Sequence, residues 1–552
     1  MSDVNPVDKH RSGRLPLPPM DLSRWGTAAE ATELSESIRA LLRDVLGVTA
    51  ETGRTFDPAA VTASPSRLTD VDLAALADIV GPGDVSVDDA QRLPRARGKS
   101  TPDLLAWRTR PAVDCPDAVV APGDDDEVAA LLDWCTSEKV AVVPFGGGTS
   151  VVGGLDPDTG TNRAVLSVDL AHFDGLESID PESGEAVLGA GVTGPRAEEL
   201  LAEHGFSLGH FPQSFPYATL GGHAMTRSSG QSSAGYGRFD EMVSGLTVVT
   251  PVGVIEAGRA PASAAGPDLR QWLLGSEGAF GVCTRVRVRI HPVPEVVRHE
   301  AFRFPDFATG AAALRAVEQQ GTGPTVIRLS DETETMVNLA TATDSIGEQT
   351  GDVEDRAGGC LCLCLFEGTA AHAGSRHAET REVLITHGGT SLGPGPAQSW
   401  EHGRFGAPVL RDALLDNGAL VETLETATDW SRLPALRAAV TEALTTSLEA
   451  FGTPALVMCH ISHVYPTGAS LYFTVVAGQR GPDPVAQWLD AKRAASEAIV
   501  AAGGTITHHH AVGVDHRPYL QSEIGEVGLR MLRAVKSAVD PHGVCNPGTL
   551  IP

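Results

Sequence analysis

The feature that most restricts this chain is a succession of loops rich in glycine, serine and threonine between residues 146 and 281. The apolar segment Val140 to Pro144 reads as a strand and passes through Phe145 into Gly146-Gly147-Gly148-Thr149-Ser150. Glycines at such a place let backbone N–H groups approach a diphosphate, and the two hydroxyls add neutral donors. Alone, the loop is explained as well by a plain turn. It lacks the lysine of a Walker A loop and the spacing of the G-x-G-x-x-G fingerprint. Its surroundings change the weighting. Next come His210-Phe211-Pro212-Gln213-Ser214, Thr219-Leu220-Gly221-Gly222, Thr226-Arg227-Ser228-Ser229-Gly230 and Gly275-Ser276-Glu277-Gly278-Ala279-Phe280-Gly281. So many neutral donors in one region suit a large dinucleotide held along its length.

The 552 residues are enough for two or three domains with buried cores. Lys and Arg number 42 against 70 Asp and Glu, a formal charge of −28 that argues against nucleic acid as a partner. Eight cysteines in a chain this long form no disulfide framework. Cys360, Cys362 and Cys364 alternate with leucines, which reads as a buried strand rather than a zinc site. The N-terminal residues have no apolar stretch of signal-peptide type, and no apolar run is long enough to span a bilayer. A cytoplasmic location is expected.

Residues 1–19 read as a loose tail and 20–110 as a mostly helical region, with a basic linker around Arg95 to Thr101. From about residue 111 strands alternate with helices. The acids Asp124 to Glu127 fit a helix N-terminus better than a metal site. Arg285, Arg287 and Arg289 alternate with apolar residues and predict a strand with one face in water. A second α/β region follows His291-Pro292-Val293-Pro294, with strands near Thr325 to Leu329, Gly359 to Phe366, Leu456 to Ser462 and Ser470 to Val476, and a last helix from Glu523 to Val539.

In order and spacing, the glycine-rich loops resemble the FAD-binding domain of the vanillyl-alcohol-oxidase/p-cresol-methylhydroxylase type over residues 111–294. The resemblance implies an α+β fold, with a two-part FAD-binding domain, an α/β cap over residues 295–490, and a C-terminal segment, 491–552. It also implies FAD held by Pro144 to Ser150, Gln213, Ser214, Thr219, Gly221, Gly222, Thr226 to Ser229 and Gly275 to Gly281. Some relatives attach flavin through His or Cys, but the first loop here has neither, so FAD is expected to be non-covalent. From about Met20 onward the chain resembles the alkyldihydroxyacetonephosphate synthase branch, through Val326 to Asp331, Leu410 to Leu414, Tyr465 to Phe473 and Gly503 to Gly513. Members exchange the acyl group of acyl-dihydroxyacetone phosphate for a fatty alcohol. FAD ends in its starting oxidation state because its N5 forms an adduct with the substrate carbon.

Matched position by position, the resemblance implies that Tyr472 abstracts a proton and that Arg411 binds the carboxylate of the departing fatty acid. Arg328, His210 and the triplet His508, His509 and His510 complete the set. These residue types suit such chemistry. It needs a tuned base for the proton, arginine as a fork for carboxylate or phosphate, and imidazoles as donors or shuttles. No metal is expected, because neighbours on a strand face apart.

The alternative is an FAD-dependent dehydrogenase of D-2-hydroxy acids. Its H-x-G-D-G-N-x-H pattern is absent: His463 to Tyr472 lack the Asp-Gly-Asn core, and His509-His510 replaces Glu-His. After Gly513 the chain reads Val514-Asp515-His516-Arg517-Pro518, less basic than is typical of the ether-forming branch. The expected partners are a lipid or phosphorylated small molecule and a second copy in a homodimer, with peripheral membrane contact as in known members.

Overall fold

The computed structural model describes residues 16–48, 53–342 and 358–552, so the expected tail lies outside the described residues as far as residue 15. Two sheets share one core in the part that carries the glycine loops. The first has the order Val85–Ser86, Ala118–Val120, Ala164–Asp169, Val140–Phe145, and its last three strands are parallel. Those three strands are almost wholly buried, as continuous apolar runs covered on both faces should be. The helix Asp125–Glu138 connects two of them, and the Asp124 carboxylate caps it by accepting from Glu127 N at 3.0 Å.

The second sheet is antiparallel, in the order Gly253–Ala257, Val243–Thr250, Val282–Arg289, Glu185–Gly189, Leu176–Asp180. Its arginine face is half-exposed as expected, alternating with buried residues, and is laced with polar contacts. Arg285 pairs with Glu177 at 2.9 Å and with Asp125, and Arg287 donates to Gly258 O.

The second half builds one seven-stranded antiparallel sheet. Its order is Thr390–Gly393, Val296–Phe304, Cys360–Gly368, Val326–Ser330, Ala455–Ile461, Gly468–Gly478, Ala419–Asp429. Helices Phe307–Gln320, Ala370–Thr386, Leu433–Ala450 and Pro484–Ala501 cover one face around Leu471, Phe473 and Val475. Alternate residues of the same strand, Tyr472, Thr474 and Val476, point the other way, into a cavity shared with the glycine loops. At one end of that face lie the helices Glu36–Leu46 and Ala407–Asp416, packed through Leu42, Leu46 and Leu414 against Val421, Met458 and Val476.

The stretch expected to be a basic linker is instead a packed seam. Arg95 is 1% exposed and pairs with Asp169 at 2.6 Å, while the Thr101 hydroxyl donates to Val421 O. Two N–H groups of this buried guanidinium share Asp169 Oδ2 and fix the segment in place. The final helix runs Leu520–Val539 with a break at Gly525, and the chain then returns to pair Cys545 with Val142 of the first sheet. All eight cysteines are free and buried. Among the described residues, no helix is long and apolar enough to cross a membrane.

Candidate active site

The cavity between the two halves is about 560 Å³ and has three regions of different chemistry. The first is the glycine region. Pro144, Phe145, Gly146, Gly147, Gly148, Thr149 and Ser150 line it, with Gln213, Ser214, Thr219, Gly221, Gly222, Thr226, Ser228, Ser229, Glu277, Gly278 and Gly281. A Cβ on Gly146 would lie 2.3 Å from Thr219 Oγ1, and one on Gly147 only 2.0 Å from Tyr217 O. Backbone therefore forms this wall because no side chain fits. Among the described residues, no protein acceptor takes the N–H groups of residues 146–150. A row of free N–H donors beside hydroxyls matches a dinucleotide diphosphate, so the residues present fit FAD.

Not every residue of the expected cofactor set reaches the wall. Arg227 turns its guanidinium to Asp240, Leu274 O and Gln271, and the Ser276 hydroxyl lies against Met225 Sδ. Gly275 packs under Arg227, and Ala279 and Phe280 join an apolar cluster with Leu520, Leu529 and Leu550. These five residues support the wall from behind.

The second region is polar and centres on Tyr472. Strand register sets it directly opposite both Glu425 and His460. The Tyr472 ring stacks on His460 at 4.8 Å between centroids and parallels His509 at 6.0 Å, with His510 edge-on at 5.8 Å. Burial pushes the phenol up to about 12, with Thr423 and Arg328 pulling against it. Tyr472 thus carries its proton at neutral pH, as an ordinary phenol does, and burial makes that proton harder still to remove.

Arg328 donates to Glu334 Oε1 at 2.6 Å and to His460 Nδ1 at 2.9 Å. Burial opposes ionisation of Glu334, but His460 and Arg328 outweigh it and hold the carboxyl well below the usual range. Arg411 lines the cavity, donating to Lys99 O at 2.8 Å and lying 3.4 Å from Asp412. Among the described residues, Arg328 and Arg411 are the cations that line this cavity. The segment after Gly513 supplies none: Arg517 donates to Gly548 O, His516 hydrogen-bonds Ala511 O, and Asp515 pairs with Lys492.

His509 and His510 line the cavity, whereas His508 stands behind them, with Nε2 2.5 Å from the Tyr465 hydroxyl and Nδ1 2.9 Å from His509 Nδ1. The triplet lies in a loop, not a strand, so its side chains need not alternate between faces. Ring nitrogens of His463, His508 and His509 lie within 4.8 Å of one another. Burial holds all of these imidazoles neutral, His510 down to about 4. His210 is also set back, with Nε2 3.1 Å from Ser228 Oγ and its ring against His223 and Phe239. His223, inconspicuous in sequence inside a glycine segment, lines the cavity instead.

Sequence reasoning also missed Glu334, His460 and Glu425. Glu425 is fully buried and accepts from the N–H groups of the histidine triplet.

The third region is apolar, and the sheet register lays it out rung by rung. Beyond the Glu425–Tyr472–His460 rung comes Thr423–Thr474–Met458, then Val421–Val476–Leu456. From Tyr472 to Val476 the strand covers about 13 Å. Ile38, Leu41, Leu42 and Leu46 of the N-terminal helix close over it, with Leu410 and Leu414 alongside.

Comparison with known proteins agrees with this geometry. Residues 116–258 match the FAD binding domain model, and 293–550 match the C-terminal domain model of FAD linked oxidases. The alkyldihydroxyacetonephosphate synthase of Trypanosoma brucei brucei is 35% identical over 497 residues, 86% of this chain and 80% of the relative. That of Caenorhabditis elegans is 33% identical over 83% of this chain and 80% of the relative. A solved alkyldihydroxyacetonephosphate synthase structure superposes with a TM-score of 0.82 at 26% identity, covering 96% of this chain and 98% of the other. The FAD-binding cradle, the α+β architecture and these relatives together assign the chain to the alkyldihydroxyacetonephosphate synthase family of FAD-dependent enzymes.

Proposed function

We propose that the protein replaces the acyl group of acyl-dihydroxyacetone phosphate with a fatty alcohol, giving the alkyl ether and a free fatty acid. One observation carries this reading: a single cavity joins a dinucleotide cradle, a Tyr/His/Arg centre and a branch lined by aliphatic side chains such as Ile38, Leu41, Leu42 and Leu46. A small hydroxy acid would have no use for the branch.

When bound in the cradle, FAD supplies an electron-deficient ring beside the reacting carbon and returns to its starting oxidation state. The protein's own groups do the rest. Tyr472 handles the proton on the carbon that changes partners. Because the phenol is protonated at neutral pH, it must pass its own proton on as it takes another, and neutral His509 and His510 beside it are placed to relay that proton onward rather than to hold it. Arg328, steadied by Glu334 and His460, faces the same centre and favours any anionic oxygen that develops there. Arg411, next to Leu410 and Leu414 of the apolar branch, binds the carboxylate of the departing fatty acid. His508 and His210 act from behind the wall by holding rings that reach the cavity.

Filling the branch tests the reading. In Leu42→Trp, an indole would occupy space that the chain needs, an overpacking cost of about 1–3 kcal/mol. Turnover of hexadecanol should fall roughly ten- to hundredfold, and that of decanol less. Equal loss for both alcohols, or none, would count against the branch as the alkyl site.

A further inference from the structure

We propose that Glu425 and Glu277 are the positioning residues of the histidine loop, holding it from opposite sides by its backbone N–H groups. The proposal rests on the ether-forming reading only in naming the reaction that the loop serves.

Residues 507–513 belong to no helix or strand, so their N–H groups need acceptors from elsewhere. Two buried carboxylates provide them. Glu425, on the outer strand of the seven-stranded sheet, accepts from the N–H groups of His508, His509 at 3.1 Å and His510 at 2.8 Å, and from the Thr507 hydroxyl at 2.6 Å. Glu277, in the last glycine-rich turn of the cofactor cradle, accepts from Val512 N at 3.1 Å and from Gly513 N at 2.9 Å. Between the two anchors Ala511 adopts φ +76°, a left-handed conformation that a free alanine rarely takes. Glu277 is itself left-handed, at φ +52°. One of these left-handed residues is thus an anchor and the other lies between the two anchors, conformations that persist where surrounding contacts over-determine them.

The register shows what the arrangement achieves. Glu425 is the direct cross-strand partner of Tyr472, so the residue that fixes the loop also fixes its distance from the phenol. Glu277 lines the cofactor wall, so the other end is referenced to the cradle. Neither carboxylate needs to touch substrate to matter, because displacing a reacting group by a fraction of an ångström already costs rate.

The experiment uses the holoenzyme and pairs kinetics with amide hydrogen exchange read by mass spectrometry. In Glu425→Gln an amide NH₂ would face N–H donors. Amides 508–510 should lose protection, and kcat for fatty-acid exchange should fall about 100-fold, with flavin affinity and the KM for acyl-dihydroxyacetone phosphate within about threefold of wild type. Glu425→Asp keeps the charge and should recover part of the rate. Glu277→Gln should loosen amides 512–513 and weaken flavin binding as well. Thr507→Val, a milder change in case Glu425→Gln fails to fold, should loosen the same loop with a smaller loss of rate. Unchanged protection of 508–510 in a folded variant would overturn the proposal, as would a rate loss carried by KM or by flavin release in Glu425→Gln. Hydrogen exchange needs no substrate. A wild-type protein without fatty-acid exchange would therefore refute the reaction and leave the anchoring still decided by the amides.

Discussion

A Tyr472→Phe variant is expected to keep its flavin and to lose exchange of fatty acid from acyl-dihydroxyacetone phosphate by about 10²–10⁴-fold, the range that a positioned acid or base contributes. The substitution removes one oxygen and keeps the ring. Stacking on His460 and the parallel contact with His509 survive, and so does the packing of the strand. The adjoining odd-numbered residues belong to the core, so stability should change little. Loss of rate with bound flavin would then report the hydroxyl alone. Because burial pushes that hydroxyl up to about 12, the rate should depend on a neighbour able to relieve it of its proton. His509→Phe should on this account cost nearly as much as Tyr472→Phe, and the double variant little more than either. Full activity in Tyr472→Phe would remove the residue from the mechanism.

The second large effect is expected at Gly147. A methyl group there would meet Tyr217 O at 2.0 Å and its carbonyl carbon at 2.6 Å. Both are backbone atoms, so no side chain can rotate aside. In Gly147→Ala the loop must shift, and its N–H groups leave the positions they now hold toward the cavity. Hydrogen bonds to a charged group contribute about 1.5–3 kcal/mol each, so losing two should weaken FAD binding roughly 100-fold or more. The measurement is the dissociation constant of FAD with the apoprotein, followed by flavin fluorescence. Wild-type affinity in this variant would mean that the loop does not bind the diphosphate.

Much of the cradle is legible in the amino-acid sequence alone, because glycine and hydroxyl residues are local statements about backbone access. The strand carrying Tyr472 is legible too, since its alternation separates a core face from a cavity face. The strands Val296–Phe304 and Ala419–Asp429 are not. Each carries acids, Glu300 in one and Glu422 and Glu425 in the other, that look solvent-bound in one dimension. All three are buried because their partners arrive from far along the chain: Arg381 and Ser391 for Glu300, residue 101 for Glu422, residues 507–510 for Glu425. The same cause hides the nature of Arg95 to Thr101, whose basic side chains are held by Asp169, the Trp107 ring and the backbone near Leu22 rather than by water. Glu334 and His460 escape notice because they act through Arg328, and only folding brings the three together. The apolar branch is invisible in sequence for a related reason. Its wall combines one helix near the N-terminus with the helix Ala407–Asp416 and three strands from the second half.

The central claim is that one cavity binds FAD and exchanges an acyl for an alkyl group. Its most direct test is mass spectrometry of products after mixing purified, FAD-loaded protein with acyl-dihydroxyacetone phosphate and hexadecanol. The account predicts hexadecyl-dihydroxyacetone phosphate and free fatty acid in equal amounts, with no electron acceptor required. Absence of the ether, together with flavin bleaching by D-lactate or D-2-hydroxyglutarate, would contradict it and favour a dehydrogenase.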